Sequence, residues 1–77
     1  MVELAPNPSR TSLRAIFSQS IPRTLNLYDQ QGQVLFQLQT QNTPVEIPTV
    51  DLPNGIYLLQ VQEERGVAYT EKVIVLH

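Results

Sequence analysis

The sequence predicts an all-β fold, a sandwich of about seven antiparallel strands with no helix. Three observations carry that expectation. Apolar and polar residues alternate along most of the chain, the period-2 pattern of half-buried strands. Turn signals built from Pro, Gly, Asn and Asp recur about every 8–12 residues, the spacing of short sandwich strands. No segment holds a helical period over a useful length.

Val2–Ala5 reads as the first strand, ended by Pro6-Asn7-Pro8-Ser9. The two prolines remove two backbone donors and bias Ala5 and Asn7 toward extended or turn geometry. A second strand alternates Leu13, Ala15 and Phe17, with Arg14 and Ile16 as the competing phase, and residues 18–20 form a polar loop. Leu25 and Leu27 then share one face against Asn26 and Tyr28. Asp29-Gln30-Gln31-Gly32 is a hairpin loop in which Gly32 takes the left-handed position. The chain returns with Val34, Phe36 and Leu38 on one face and Leu35, Gln37 and Gln39 on the other.

Residues 44–50 alternate Val45, Ile47 and Thr49 against Glu46 and Pro48, and the internal proline assigns this strand to a sheet edge. Asp51-Leu52-Pro53-Asn54-Gly55 is a tight turn. Pro53 has its φ preset, while Asn54 and Gly55 tolerate the positive φ that would close it. The turn runs directly into a strand with Tyr57, Leu59 and Val61 on one face and Leu58, Gln60 and Gln62 on the other. Residues 62–66 make a further hairpin. The last strand, over 67–76, keeps Val67, Tyr69, Val73 and Val75 in one phase, interrupted by Glu71. The ensemble reads as an immunoglobulin-like β-sandwich.

Composition narrows the function classes. A hydrophobic content of 42% supports a core, and a charged content of 16% is low for a free-standing soluble domain. A chain this short forms one domain, residues 1–77, burying roughly 60% of the surface its unfolded form exposes. A net charge of −2 gives no basic footprint, which argues against nucleic acid as a partner. Without cysteine there is no disulfide framework or thiolate zinc site, so sheet packing or a larger partner must supply the stability. The opening residues lack the basic and apolar regions of a signal peptide, and the longest apolar runs, 56–59 and 73–76, are too short for a helical membrane span. Two readings remain at this point: a cytosolic protein, or a fragment of a longer secreted protein whose export signal lies upstream.

Catalytic chemistry finds no constellation. The single histidine, His77, is the last residue, where no third group positions it as a base. Glu63 and Glu64 are adjacent, point to opposite faces and are expected to be solvated; Asp29 and Asp51 open turns, where Asp accepts local backbone hydrogen bonds. No metal-ligand spacing or phosphate loop occurs, so no catalytic residue, metal or cofactor is expected. Tyr28, Tyr57 and Tyr69 sit beside turns, where a half-buried ring and a hydroxyl reaching loop backbone are ordinary sandwich anatomy. Lys72, the only lysine, serves either as an edge charge that discourages sheet-to-sheet pairing or as a recognition contact.

Three motifs and a closing strand stand in a fixed order: Pro6-Asn7-Pro8, then Leu27-Tyr28-Asp29-Gln30-Gln31-Gly32, then Leu52-Pro53-Asn54-Gly55-Ile56-Tyr57, and finally Lys72-Val73-Ile74-Val75. Together they resemble the C-terminal sorting domain of the type IX (Por) secretion system of the Bacteroidetes, over essentially the whole chain. The central hairpin of that family often has a basic residue after the glycine, where this chain has Gln33. The resemblance implies a folded secretion signal that follows a covalently linked cargo. The cargo would cross the periplasm, meet an outer-membrane type IX translocon with its shuttle protein, and be released or anchored at the cell surface by a sortase-like peptidase. It also implies recognition through Gly55, Tyr57, Lys72, Val73, Ile74 and Val75, with turns shaped by Pro6, Asn7, Pro8, Asp29, Gly32, Pro53 and Asn54.

Two other readings share the strand physics. One is a generic immunoglobulin- or fibronectin-like accessory module for adhesion, carbohydrate binding or spacing, although the chain has no Trp and only three Tyr for a sugar platform. The other is an interaction module whose exposed edges form a weak edge-strand dimer.

Overall fold

The computed structural model describes residues 2–6 and 9–77. They form β1 (Val2–Ala5), β2 (Ser12–Phe17), β3 (Arg23–Tyr28), β4 (Val34–Thr40), β5 (Val45–Pro48), β6 (Gly55–Glu63) and β7 (Ala68–Val75). Every strand pair is antiparallel, in a three-stranded sheet ordered β1-β2-β5 and a four-stranded sheet ordered β4-β3-β6-β7. Among the described residues there is no helix.

The period-2 patterns meet in one core. Leu13, Ala15 and Phe17 of β2 and Val45 and Ile47 of β5 pack in one cluster with Leu25, Leu27, Tyr57, Leu59, Val61, Val73 and Val75 of the larger sheet. In β2 the Leu13 phase turns inward, which leaves Arg14 outside, its Nε 3.1 Å from Glu46 Oε1 on β5. That hydrogen bond from Arg14 holds the Glu46 carboxyl below the usual carboxylate range. β5, with Pro48, lies at a sheet edge as its sequence indicates.

Two left-handed glycines close the hairpins of the larger sheet. Gly32 has φ 85° and follows Asp29, whose Oδ1 accepts from the N–H groups of Gln31 and Gln33, both at 2.9 Å. Gly66 has φ 91° between β6 and β7. Between Leu27 and Tyr28 the β3–β4 register slips, pairing Leu27 with Phe36 and Tyr28 with Val34. Leu35 is the extra, bulged residue.

Two expectations are corrected. Neither Asn54 nor Gly55 has a positive φ: the turn before β6 is held by side chains, and Gly55 is already a strand residue in register with Val75. Glu63 is not solvated. Its carboxylate lies 3.7 Å from Nη2 of Arg23, whose side chain is only 1% exposed. Arg23 is kept in the interior by stacking 3.8 Å over the Phe17 ring and by donating from Nη2 to the Gln19 carbonyl at 2.9 Å. Nearby, burial pushes the Tyr69 phenol above its ordinary pKa, and Glu63 adds to the effect.

Candidate functional site

Three of the ordered motifs, the central hairpin loop, the turn before β6 and the closing strand, come together at one pole of the sandwich. Gly55 begins β6 beside Val75, near the end of β7. Ser9 lies along the far side of β7 in a parallel bridge to Val75: its N–H donates to the Ile74 carbonyl at 2.7 Å, and its own carbonyl accepts from Leu76 N–H at 2.9 Å. The turn before β6 closes the pole from the other side. Tyr57 Oη donates to the Pro53 carbonyl at 2.6 Å, and Leu52 N–H donates to the Thr49 carbonyl at 3.1 Å. His77 is fixed here rather than frayed, its N–H donating to Asn54 Oδ1 at 2.9 Å and its Nε2 standing 2.6 Å from the Leu52 carbonyl oxygen.

An open groove of about 440 Å³ separates the two loops, lined by Asp29, Gln30 and Gln31 on one side and Leu52, Pro53 and Asn54 on the other. Pro6 ends β1 as an exposed residue three positions before Ser9, while Asn7 and Pro8 lie outside the described residues.

A buried hydroxyl pair secures Ser9. Its Oγ donates to the Ser12 carbonyl at 2.9 Å and lies 2.6 Å from Oγ1 of Thr49, and both residues are fully buried. Thr49 N–H in turn donates to the Thr11 carbonyl at 2.9 Å. Ser9→Ala is expected to cost about 1–3 kcal/mol, because it strands the Thr49 hydroxyl away from water. Adding Thr49→Val removes the stranded group, so the double variant should recover most of that loss in urea unfolding. A double variant no better than Ser9→Ala would mean that the pair is not the source of the cost.

The expected recognition residues divide by depth. Tyr57, Val73 and Val75 are buried, and their side chains belong to the core. Gly55 and Ile74 are half-buried and Lys72 is exposed. Lys72 and Ile74 share the outer face of the larger sheet, where register places Tyr28, Leu58 and Lys72 in one cross-strand row and Ile56 beside Ile74 in the next. Val34, Leu35, Ile56 and Leu58 are exposed apolar residues on this end of the sheet. Further along the face, Gln37, Asn26, Gln60 and Thr70 form a neutral polar row. Gln60 Oε1 accepts from Tyr28 Oη at 3.1 Å and from Asn26 Nδ2 at 3.5 Å.

Among the described residues no group of three or more His, Asp or Glu side chains is placed to hold a metal ion. What the pole offers is a sheet end with aliphatic side chains, neutral amides, one lysine and two loops bordering a groove.

A family model described as the secretion system C-terminal sorting domain matches residues 3–76. The chain belongs to that family. A comparison with curated proteins gave no match. The match takes in all four motifs and every strand, so the sorting domain is the sandwich as a whole and not a short peptide within it. It is a C-terminal sorting signal for type IX secretion, which implies an upstream cargo, interaction with the type IX machinery, and export of that cargo to the outside or the cell surface. Domains of this kind are not known as enzymes.

Sequence reasoning did not single out Ser9, Thr49 or Arg23. The first two carry no local signature, because their partners lie 40 residues apart. For Arg23, only the Phe17 ring and Glu63, brought to it by folding, explain its burial.

Proposed function

We propose that the sorting domain is read as an assembled surface at the motif pole: the outer-face row ending in Lys72, the adjoining Ile56 and Ile74, and the turn before Gly55. On this reading Tyr57, Val73 and Val75 act from beneath, setting the shape of the strands that a partner touches. The observation that carries it is convergence: segments around residues 9, 29–32, 52–55 and 74–77 meet at one end of the fold. The partners are the outer-membrane translocon and its shuttle protein. Cargo arrives folded from the periplasm, and a sortase-like peptidase cuts on the N-terminal side of the domain for release or surface attachment. The chain is then one C-terminal domain of a longer secreted protein, and its role is address rather than catalyst.

The test is a fusion of residues 2–77 behind a fluorescent protein carrying an inner-membrane export signal. Fluorescence should reach the surface or medium in a host with type IX machinery and stay periplasmic in a host without it. Ile56→Gln with Leu58→Gln, two exposed positions, should lower export while thermal unfolding stays unchanged. Undiminished export of that variant would move recognition away from this face.

A further inference from the structure

The four sheet edges are not equally protected. An exposed edge strand invites pairing with another chain, and proteins usually blunt it with charge, proline, short length or a covering segment. β1 and β5 are four residues each; β1 carries Glu3 and runs into Pro6, and β5 carries Glu46 and Pro48. β7 carries Glu71 and Lys72 and has Ser9 laid against its far side. β4 has none of these devices among the described residues; its one irregularity is the bulge at Leu35, which lies before the stretch from Gln37 to Thr40. The strand is seven residues long, pairs only with β3 among the described residues, and has neither charge nor proline. The next three residues, Gln41, Asn42 and Thr43, are also uncharged.

The backbone direction of β4 follows from its hairpin. Asp29 N–H donates to the Gln33 carbonyl, so alternation along β3 turns the polar groups of Leu25 and Arg23 toward β4. Their register partners Leu38 and Thr40 therefore spend their backbone groups on β3, and Gln37 and Gln39 direct theirs outward. The side chains alternate as well: Phe36 and Leu38 are half-buried and packed against the core, while Gln37 and Gln39 are exposed on the outer face.

We infer that β4 is a strand-pairing edge whose occupant is β4 of a second copy of this chain, antiparallel about a twofold axis near Leu38. Twofold pairing sets each residue against its own strand, so any charge near the axis would face its like. β4 is free of that conflict. Gln37 would meet Gln39 of the partner subunit, and the reverse, giving about four backbone hydrogen bonds from two such pairs. The side-chain amides, each both donor and acceptor, are complementary to themselves. On the other face the two Leu38 side chains would cover each other beside Phe36, uniting the two four-stranded sheets into one. A single strand pair buries little area, so the dimer is weak and reversible.

Sedimentation of the 77-residue chain tests this without any secretion host, so its outcome is separate from that of the export reading. Between about 10 μM and 1 mM the protein should pass reversibly from monomer to dimer, as a small interface requires. Gln37→Pro removes an outward N–H that β3 does not use, and should weaken the dimer about tenfold or more with thermal unfolding little changed. The Gln37→Lys/Gln39→Lys and Gln37→Glu/Gln39→Glu variants should each be monomeric alone and dimerise when mixed. A wild-type chain that stays monomeric at about 1 mM, a dimer indifferent to Gln37→Pro, or charge variants that fail to dimerise on mixing would each overturn the inference. Loss of export by Gln37→Pro in a chain that is always monomeric would assign the edge to another protein's strand, and so would also overturn it.

Discussion

A chain lacking residues 72–77 is expected to lose its folded structure and to leave its cargo in the periplasm. The deletion takes away Val73 and Val75, both fully buried and the β7 partners of Tyr57 and Gly55, together with Lys72 and Ile74, the partners of Leu58 and Ile56. It also removes the Ile74 and Leu76 groups bonded to Ser9, and the His77 N–H bonded to Asn54. Each buried valine contributes about 1.5–3 kcal/mol and each lost backbone hydrogen bond about 1 kcal/mol. A domain of this size has only about 4–12 kcal/mol in total. Circular dichroism should therefore show the loss of a cooperative melt alongside the loss of export. The Ile56/Leu58 surface variant supplies the contrast, because it alters the outer face without opening the core. A truncated chain that still melts cooperatively and exports normally would remove β7 from both the fold's stability and the signal.

Leu59→Ala is expected to destabilise the domain by about 2–5 kcal/mol, a large part of what it has. Leu59 is fully buried on β6, in register with Leu27 of β3 on one side and Glu71 of β7 on the other. Its removal opens a cavity in the core between the sheets, and the neighbouring strands can close over it only partly. The adjacent Leu58 faces solvent, so Leu58→Ala should fall within about 0.5 kcal/mol of wild type. Urea unfolding of the two variants side by side reads the facing of β6 directly. Equal losses at both positions would mean that the strand is not in the register described.

The strands were legible because their evidence is local. Alternation along residues 57–61 and 24–28, the proline within β5 and the Asp29–Gly32 loop each say what their own stretch of chain does, and those stretches do it. Legibility ends where the deciding partner is distant. Gly55 looked like a turn-closing glycine because Pro-Asn-Gly favours one; in the fold, Val75 recruits it into a strand and Tyr57 and His77 hold the turn. Glu63 looked solvated because it adjoins a hairpin, yet Arg23 faces it from β3. The division of strands between sheets, and with it the unguarded edge of β4, depends on pairings that alternation alone does not specify.

The motif pole has a consequence for timing. Its parts come from near both ends and the middle of the sequence, and Ser9 meets Ile74 only after the sixty-four residues between them have closed into a loop. Contacts of such separation form late, after nearer pairings have reduced the entropy of closing the loop. A partly synthesised, nicked or misfolded chain can carry every motif in order and still present no pole. An address built this way doubles as a certificate of completion, displayed only once the whole sandwich has folded.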